Sequence, residues 1–208
     1  MNRNLILEEL NRLYPNPRCE LEYTYDYELL LSVMLSAQTT DKSVNAATKD
    51  LYKEYDSLEK LDTLNVDDII TYIRRIGFYK TKANNFKRIV SKLNEIGYVP
   101  NDRDYLESLP GVGRKTASVV LGLLFDVPSF AVDTHVYRTS KRLGITKEND
   151  DVIKTEEKLK KYFDKTQWNK VNSQLVLFGR YNCTSKRPKC EECNLKNICK
   201  YYKTHNSK

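Results

Sequence analysis

The sequence contains few of the residues that would suggest a secreted, membrane-spanning or histidine-based metal protein. Only two of its 208 residues are histidines, His135 and His205, and their separation is not that of metal ligands. The longest apolar run, 119–125, is far shorter than the roughly 20 residues that cross a bilayer. Acidic residues interrupt the N-terminal segment where the apolar part of a secretory signal would continue. We therefore expect a cytoplasmic protein, without contact with a membrane.

Cysteines are also scarce, and four of the five lie in the last 26 residues. Cys183, Cys190, Cys193 and Cys199 have the spacing C-x6-C-x2-C-x5-C, whereas Cys19 lies far from them. In a reducing compartment, clustered cysteines are more typical of a metal site than of disulfides. Four thiolates can hold either an iron–sulfur cluster or a tetrahedral zinc ion. The pattern predicts one metal-bound loop, which could be purely structural or could also support a binding surface.

The charge balance favours a polyanionic partner over solubility alone. Lysine and arginine total 35 against 28 aspartate and glutamate residues, which gives a formal net charge of +7. The cations are spread along the chain, so folding has to assemble any cationic surface. Between the first two clustered cysteines lie Lys186, Arg187 and Lys189. A loop with three cations, stiffened by a metal, is suited to contact a phosphate backbone.

The spacing of apolar residues predicts an all-α fold. Apolar positions recur mostly every three or four residues, and no alternating strand pattern, internal repeat or low-complexity linker is present. Asn65 is predicted to begin a helix that Gly77 ends, and Thr40 or Asp41 to begin the helix before it. The expected helices cover about 26–37, 41–55, 66–76, a segment up to Gly97, 102–108, 114–125, 134–143, 150–163 and 166–181.

The segment 109–115, Leu-Pro-Gly-Val-Gly-Arg-Lys, lies between two of these helices and predicts a DNA-binding hairpin. Pro110 fixes one turn residue, while Gly111 and Gly113 allow a close approach or a positive φ. The backbone N–H groups at the start of the second helix, next to Arg114, would then form an anion site for a DNA phosphate. Such a contact carries no sequence information. A generic connection between two helices is the alternative.

Lys115 and Asp133 are the candidate catalytic residues. Lys115 begins the second helix, where the helix dipole disfavours the protonated amine and partial burial would add to that effect. Asp133 precedes another helix, where an aspartate is usually an N-cap. Taken alone, Lys115 is typical of a phosphate contact. Together, after a DNA-binding hairpin and before a cysteine cluster, the two indicate an amine and a carboxylate arranged for chemistry at a sugar carbon.

These motifs resemble those of the endonuclease III family of DNA glycosylases, which belongs to the helix-hairpin-helix superfamily. The resemblance extends over nearly the whole chain and is specific because the motifs occur together in this order. The motifs that carry it are LSAQTTD at 35–41, IGFY at 76–79, LPGVGRKTA at 109–117, VDTHVYR at 132–138, GRYNC at 179–183, and the cysteine spacing.

The resemblance implies a two-lobed fold with a DNA-binding cleft between the lobes and a C-terminal [4Fe-4S] cluster rather than zinc. One lobe would be a helical barrel domain at 20–130, with the helix-hairpin-helix at about 102–125. The other would combine the N-terminal helix at 1–19 with a C-terminal helical domain at 131–208, which contains the cluster loop at 183–199. The expected partner is double-stranded DNA with a damaged base or an abasic site, bound by a monomer that is associated with the nucleoid.

The resemblance also implies a bifunctional enzyme of base-excision repair that removes oxidised pyrimidines. Lys115 would attack C1′ of the damaged nucleotide, release the base and remain as a Schiff base, after which β-elimination cuts the strand on the 3′ side. Asp133 would stabilise the cationic sugar and help to activate the nucleophile. The nucleotide has to be flipped out of the duplex. Gln38 would fill the resulting hole, and Phe78 would act as a wedge beside it.

Three positions differ from the family's usual pattern. Phe78 replaces an aliphatic wedge, Phe178 stands where a histidine is frequent, and Ser118 replaces a common asparagine. None of these changes removes a catalytic group. Two other functions remain as alternatives: a monofunctional adenine or mismatch glycosylase, which would lack a lysine at position 115, and a non-enzymatic DNA-binding module, which would not need Lys115 and Asp133 together.

Overall fold

The computed structural model describes residues 3–205, and this part of the chain forms twelve α-helices and one short 3-10 turn without a β-strand. The predicted all-α class is therefore confirmed. The described residues divide into two compact units. One consists of Cys19–Phe125, and the other combines residues 3–18 with 126–205. No helix within 3–205 has the length and apolar character that a membrane span requires.

The central unit, Cys19–Phe125, is built around a buried helix, α2, that packs against α3, α6 and α8. Every residue of α2 from Glu28 to Leu35 is buried, as its nearly uninterrupted apolar sequence predicts. The helices of this unit are α2 (Asp26–Leu35), α3 (Asp41–Glu54), α4 (Leu58–Thr63), α5 (Val66–Ile73), α6 (Tyr79–Ile96), α7 (Arg103–Ser108) and α8 (Arg114–Leu124).

Side-chain caps fix the starts of several of these helices at the predicted residues. The Thr40 hydroxyl accepts a hydrogen bond from the Ser43 N–H at 3.2 Å and begins α3. Asn65 begins α5 in a reciprocal capping box with Asp68. At the C-terminal end of α6, Gly97 has a φ of 80°, the left-handed conformation that commonly ends a helix. These local signals were therefore reliable.

Other helix boundaries differ from the sequence-based expectation. The helix expected to extend to residue 76 ends at Ile73, because Ile76 closes a tight turn by donating its N–H to the Ile73 carbonyl at 2.8 Å. The helix expected up to residue 37 ends at Leu35. Two six-residue helices, α4 and a C-terminal one, were not expected, whereas the equally short α7 was, because six residues show a helical period only weakly.

The second unit is held together by an apolar core to which four of its five helices contribute, together with residues of the connecting segments. Helix α9 packs against α10, α11 and α12, and α1 packs against α11. The core includes Leu10, Phe130, Val136 and Leu175, all almost inaccessible to solvent. The helices are α1 (Arg3–Leu13), α9 (Thr134–Leu143), α10 (Val152–Tyr162), α11 (Trp168–Tyr181) and α12 (Lys200–His205).

Polar contacts join the N-terminal helix α1 to the C-terminal part of the same unit. The Gln174 amide donates to Asn11 Oδ1 at 3.0 Å and to the carbonyl of Tyr14 at 2.9 Å. Asn194, within the cysteine segment, donates its side-chain amide to Glu9 Oε2 at 2.9 Å. Residues that are far apart in sequence thus complete one unit.

Candidate functional site

The hairpin between α7 and α8 is anchored by two buried apolar side chains. Leu109 and Val112 are buried, and the Val112 N–H donates to the Leu109 carbonyl at 3.1 Å. Gly111 and Gly113, by contrast, are exposed. At Gly113, which begins α8, no side chain caps the first turn, and the N–H groups of this turn lie at the positive end of the helix. The anion site at this hairpin stays a prediction, and the uncapped helix terminus is its structural basis.

The two glycines of the hairpin have different structural requirements. Gly111 has a φ of 78°, and a Cβ there would lie 2.5 Å from Asn85 Nδ2 and 3.4 Å from Met34 Cγ. Gly113 has a φ of −97°, which any residue can adopt, and a Cβ there would meet nothing within 4 Å. Gly111 is thus needed by the fold, whereas a side chain at Gly113 would only alter the exposed surface.

A hydrogen bond between side chains ties the two helices of the hairpin together. Arg103 of α7 donates through Nη1 and Nη2 to the hydroxyl of Ser118 in α8, at 3.2 Å and 3.3 Å. Ser118 is buried, so this position contributes to the packing of the hairpin. The serine that replaces a common asparagine of the family therefore has a structural partner in this chain.

Lys115 and Arg114 lie in the first turn of α8, beside the uncapped N–H groups, and both are exposed. The prediction that Lys115 is partly buried is wrong for the protein without DNA, because the hairpin places the first turn of α8 at the surface of its unit. Its amine is consequently accessible to a large substrate. The other candidate catalytic residue belongs to the second unit.

Asp133 is the N-cap of α9. Its Oδ1 accepts hydrogen bonds from the N–H groups of His135 and Val136, both at 2.8 Å. Within its own unit, Oδ2 receives no hydrogen bond from a described residue. One oxygen of the carboxylate therefore holds the helix terminus and fixes the side chain, while the other remains available for chemistry.

Gln38 and Phe78 occupy exposed tips of the central unit in an unusual backbone conformation. Gln38 lies in the turn between α2 and α3 with a φ of 58°, and Phe78 lies before α6 with a φ of 59°. Both are in the left-handed region, which side chains other than glycine rarely adopt. Phe78 is 68% exposed, which is exceptional for a phenylalanine. Such strained, exposed positions are typical of functional sites.

Lys82, which the sequence analysis did not single out, lies close to both tips. It is buried in α6, and its ammonium donates to the carbonyls of Leu35 at 2.8 Å and Ala37 at 2.7 Å. Burial lowers the pKa of this lysine. A signal was present in the sequence, because Lys82 continues the apolar stripe of Phe86, Ile89 and Leu93, where a cation is out of place.

All four clustered cysteines line one pocket of the second unit. Apolar and aromatic side chains, among them Leu143 and Phe178, form other walls of this pocket. No three His, Cys, Asp or Glu side chains within 3–205 are arranged to hold a single metal ion. The four thiols line a common space, and this donor set with apolar walls fits a metal centre held by four thiolates.

Burial affects the chemistry of these thiols. It is the main cause that raises the pKa of Cys193 to about 11, and it also raises the pKa of Cys190 and of Cys199. Metal ligands have to be thiolates. The pocket therefore favours the protonated thiols until a bound cationic centre offsets the cost of the buried negative charge.

Arg142 is a second residue that the sequence analysis missed. At the end of α9, its guanidinium donates to the carbonyls of Thr184 at 2.7 Å and Ser185 at 3.0 Å, and Nη1 lies 3.3 Å from Cys183 Sγ. The Lys189 N–H also donates to the carbonyl of Asn182 at 2.9 Å. These bonds fix the backbone of the loop that carries Lys186, Arg187 and Lys189, and all three cations are exposed.

The motif at 179–183 positions α11 against α9. A Cβ at Gly179 would lie 2.7 Å from the Cβ of His135, so only glycine permits this approach. Arg138 donates to the Gly179 carbonyl at 2.8 Å and to the Cys183 carbonyl at 3.2 Å. Phe178, the departure from a frequent histidine, is buried in the core of the unit, where it contributes packing rather than a polar contact.

Comparison with known proteins agrees with this geometry. The family model described as the HhH-GPD superfamily of base excision DNA repair proteins matches residues 31–165. The chain is 42% identical over 206 residues to endonuclease III of Escherichia coli K12, covering 97% of each, and 41% identical over 196 residues to that of Bacillus subtilis, covering 93% of this chain and 90% of the relative. This chain belongs to the endonuclease III family.

The same family is found by structure. An endonuclease III trapped as a covalent intermediate with DNA superposes with a TM-score of 0.91 at 39% identity, covering 99% of each chain. Membership of the endonuclease III family confirms the resemblance and the fold inferred from the motifs. The roles of the individual residues remain predictions, and the structure supplies their local geometry.

Proposed function

We propose that this chain is a bifunctional DNA glycosylase and abasic-site lyase that removes oxidised pyrimidines from double-stranded DNA in base-excision repair. The observation that carries the proposal is the exposed Lys115 in the first turn of α8, at a helix N-terminus without a side-chain cap. The chain is also similar to an endonuclease III trapped covalently on DNA. A phosphate held at that site would bring the sugar within reach of the amine. We expect the enzyme to work in the cytoplasm on nucleoid DNA.

The chemistry begins with Lys115 as a neutral amine. Its Nζ attacks C1′, the bond from C1′ to the base breaks, and the base leaves with the electron pair and takes up a proton. The amine loses a proton, and O4′ leaves C1′ with the electron pair and takes up a proton, which opens the sugar and gives a protonated Schiff base. Loss of a proton from C2′ then expels the 3′ phosphate by breaking the C3′–O bond. Water finally hydrolyses the Schiff base and regenerates Lys115.

Asp133 supports the charged stages of this sequence. Because Oδ1 is held by the N–H groups of His135 and Val136, the carboxylate cannot turn away and Oδ2 keeps a fixed direction. A fixed anion stabilises the positive charge that develops on the sugar more effectively than a mobile one. As a carboxylate oxygen, Oδ2 can also take up a proton that is released during the reaction. The proposed role of Asp133 is therefore electrostatic and basic, not nucleophilic.

The remaining sites would hold and distort the duplex. The N–H groups of the hairpin at Gly111 and Gly113, together with Arg114, would bind a phosphate, and the loop cations Lys186, Arg187 and Lys189 would contact the backbone elsewhere. Gln38 would fill the hole left by the flipped nucleotide. Phe78 would stack at the same place, since an aromatic ring can stack on any base. Contacts of these kinds select damaged DNA by its deformability rather than by its sequence.

The four cysteines would hold a [4Fe-4S] cluster, whose iron would offset the buried thiolate charge and tie Cys183 to Cys199 across the loop. Purified protein should contain iron and acid-labile sulfide in similar amounts, and Cys193→Ser should lower both. Bound zinc in their place would contradict the assignment. Cys19→Ser is the matched control, because Cys19 belongs to the other unit and its loss should leave the iron content unchanged.

Borohydride trapping tests the catalytic proposal. The parent should form a covalent adduct with duplexes that contain either thymine glycol or an abasic site, because borohydride reduces the Schiff base to a stable amine. Lys115→Ala should form no adduct yet fold normally, since the side chain is exposed. Lys154→Ala, which removes another exposed lysine, is the control for lost charge and should trap as the parent does.

The outcomes separate the candidate functions. Base release without any adduct from the parent would indicate a monofunctional glycosylase. Binding without base release or an adduct would indicate a non-enzymatic DNA-binding module. An adduct that persists in Lys115→Ala would place the nucleophile at another amine and contradict the assigned role.

A further inference from the structure

Lys82 is a buried cation in an unusual environment. Its side chain projects from the first turns of α6 towards the C-terminal end of α2, and only 6% of the residue is exposed. Its ammonium donates to the carbonyls of Leu35 and Ala37 at 2.8 Å and 2.7 Å. Among the described residues of its unit, no carboxylate forms an ion pair with it. Its positive charge is offset by carbonyl dipoles at a helix C-terminus.

Burying a cation without a counter-ion is costly, and an apolar residue of similar length would pack at this position without that cost. A simple cap of α2 would explain the bond to Leu35, the last residue of that helix. It would not explain the bond to Ala37, which lies beyond the helix end and is exposed. The second bond fixes the turn between α2 and α3 rather than the helix.

The carbonyl of Ala37 belongs to the peptide group that joins it to Gln38. Gln38 has a φ of 58°, and the backbone N–H of Lys82 donates at 3.0 Å to the carbonyl of Phe78, which has a φ of 59°. In the described part of the chain, Asp126 is the only other non-glycine residue with a positive φ. Lys82 thus contacts the backbone at both tips that are proposed to enter the duplex.

We propose that Lys82 is a positioning residue. It holds the backbone at Gln38 in a fixed position relative to the Phe78 tip, so that the Gln38 side chain is ready to enter the duplex before DNA binds. The inference rests on the proposed function, because it presumes that Gln38 fills the hole left by the flipped nucleotide. A residue fixed in its bound conformation loses less conformational entropy on binding. Lys82 would therefore contribute to recognition of the lesion without touching DNA.

The test compares affinities for an undamaged duplex and for the same duplex with a tetrahydrofuran abasic analogue, at one salt concentration. Discrimination is the ratio of the two Kd values, in which a general loss of phosphate affinity cancels. Lys82→Met removes the ammonium at similar length but keeps the backbone N–H to Phe78. We expect it to lower discrimination about tenfold, which corresponds to about 1.4 kcal/mol.

Lys87→Met is the matched control. Lys87 lies further along the same helix, and its ammonium donates to the backbone carbonyl and, at 2.8 Å, to Oδ1 of Asp62. The substitution removes the same charge and a comparable contact with a carbonyl, but the partner of Lys87 is Asp62, which belongs to neither tip. It should lower stability and leave discrimination unchanged. An equal loss of discrimination in Lys82→Met and Lys87→Met would mean a general effect of destabilisation and would overturn the inference.

A double-mutant cycle with Gln38→Ala shows whether Lys82 acts through Gln38. Once the Gln38 side chain is absent, Lys82→Met should reduce discrimination no further. Additive losses, or unchanged discrimination in Lys82→Met alone, would overturn the inference. If Lys82→Met is too unstable to purify, Lys82→Leu takes its place in the same cycle with the same criteria, because it also removes both hydrogen bonds of the ammonium.

Failure of the inference can be distinguished from failure of the proposed function. If the parent traps covalently but Gln38→Ala keeps full discrimination, the enzyme assignment stands and the positioning role of Lys82 is wrong. If the parent neither traps nor discriminates, the proposed function itself is wrong.

Discussion

Replacing the first glycine of the hairpin should destabilise the central unit, whereas the same change at the second glycine should not. Gly111 has a φ of 78°, and the new Cβ of Gly111→Ala would lie 2.5 Å from Asn85 Nδ2 and 3.4 Å from Met34 Cγ. Gly113 has ordinary extended backbone and open space around its Cα. The two positions are two residues apart, so they form an internal comparison within one motif.

The cost at Gly111 can be worked out from two contributions. Holding an alanine in the left-handed region costs about 1–2 kcal/mol. Moving the end of the Asn85 side chain out of the way costs about 0.5–1.5 kcal/mol if its rotamer is disturbed. Lower entropy of the unfolded chain offsets about 0.4–1 kcal/mol. The net loss is about 2 kcal/mol, which for a chain of this size lowers Tm by about 4–8 °C.

Thermal unfolding followed by circular dichroism measures this difference, and duplex binding is measured on the same samples. Gly113→Ala should unfold within about 1–2 °C of the parent, because a surface change with no new contact alters stability by about 0.5 kcal/mol or less. It should nevertheless bind the duplex more weakly, since its methyl group would project where a phosphate approaches the N–H groups. Equal Tm values for Gly111→Ala and the parent would refute the reasoning from close approach and positive φ.

Two further predictions concern carboxylates. Asp133→Asn should keep the cap of α9 through its amide oxygen and unfold like the parent, whereas Asp133→Ala should lose about 1 kcal/mol of stability. Both variants should slow borohydride trapping. A normal trapping rate in either would exclude the proposed role. Hydrogen bonds from Lys87 and Ser91 lower the pKa of Asp62 below its ordinary 3.8. Its stabilisation is therefore complete above that ordinary value and is lost as the pH falls through the lowered pKa. The stability difference between the parent and Asp62→Asn, measured by urea unfolding, should shrink on acidification, and a constant difference would contradict this assignment.

The elements that could be predicted from sequence are those whose signals are local. Apolar periodicity indicated the long helices, and the caps at Thr40 and Asn65 act over three residues, so they form wherever the chain becomes helical. The end of α5 was missed because the chain closes a turn at Ile76 that no local rule requires. Short helices such as α4 depend on packing against a neighbour, here α6, and packing is not visible in the sequence.

In the candidate site, too, features with a local signal could be predicted from sequence, and features that depend on distant contacts could not. Gly111 was correctly linked to positive φ and close approach, but the sequence could not tell its role from that of Gly113, because the difference comes from Asn85 on another helix. Lys82 and Arg142 escaped notice because their partners are backbone carbonyls, which every residue carries. A motif identifies the side chains that perform chemistry, but it does not identify the residues that hold the backbone around them.

The pairing of α1 with the C-terminal segment has a consequence for the order in which the chain folds. Glu9 and Asn194 meet at 2.9 Å although 185 positions separate them, whereas Cys19–Phe125 forms a complete unit between them. Since synthesis proceeds from the N-terminus, the central unit can assemble while α1 still lacks its partners. Closing so long a loop is slow relative to local contacts. During translation, the apolar face of α1 therefore stays exposed until α11 emerges, and throughout this interval it is open to aggregation and proteolysis.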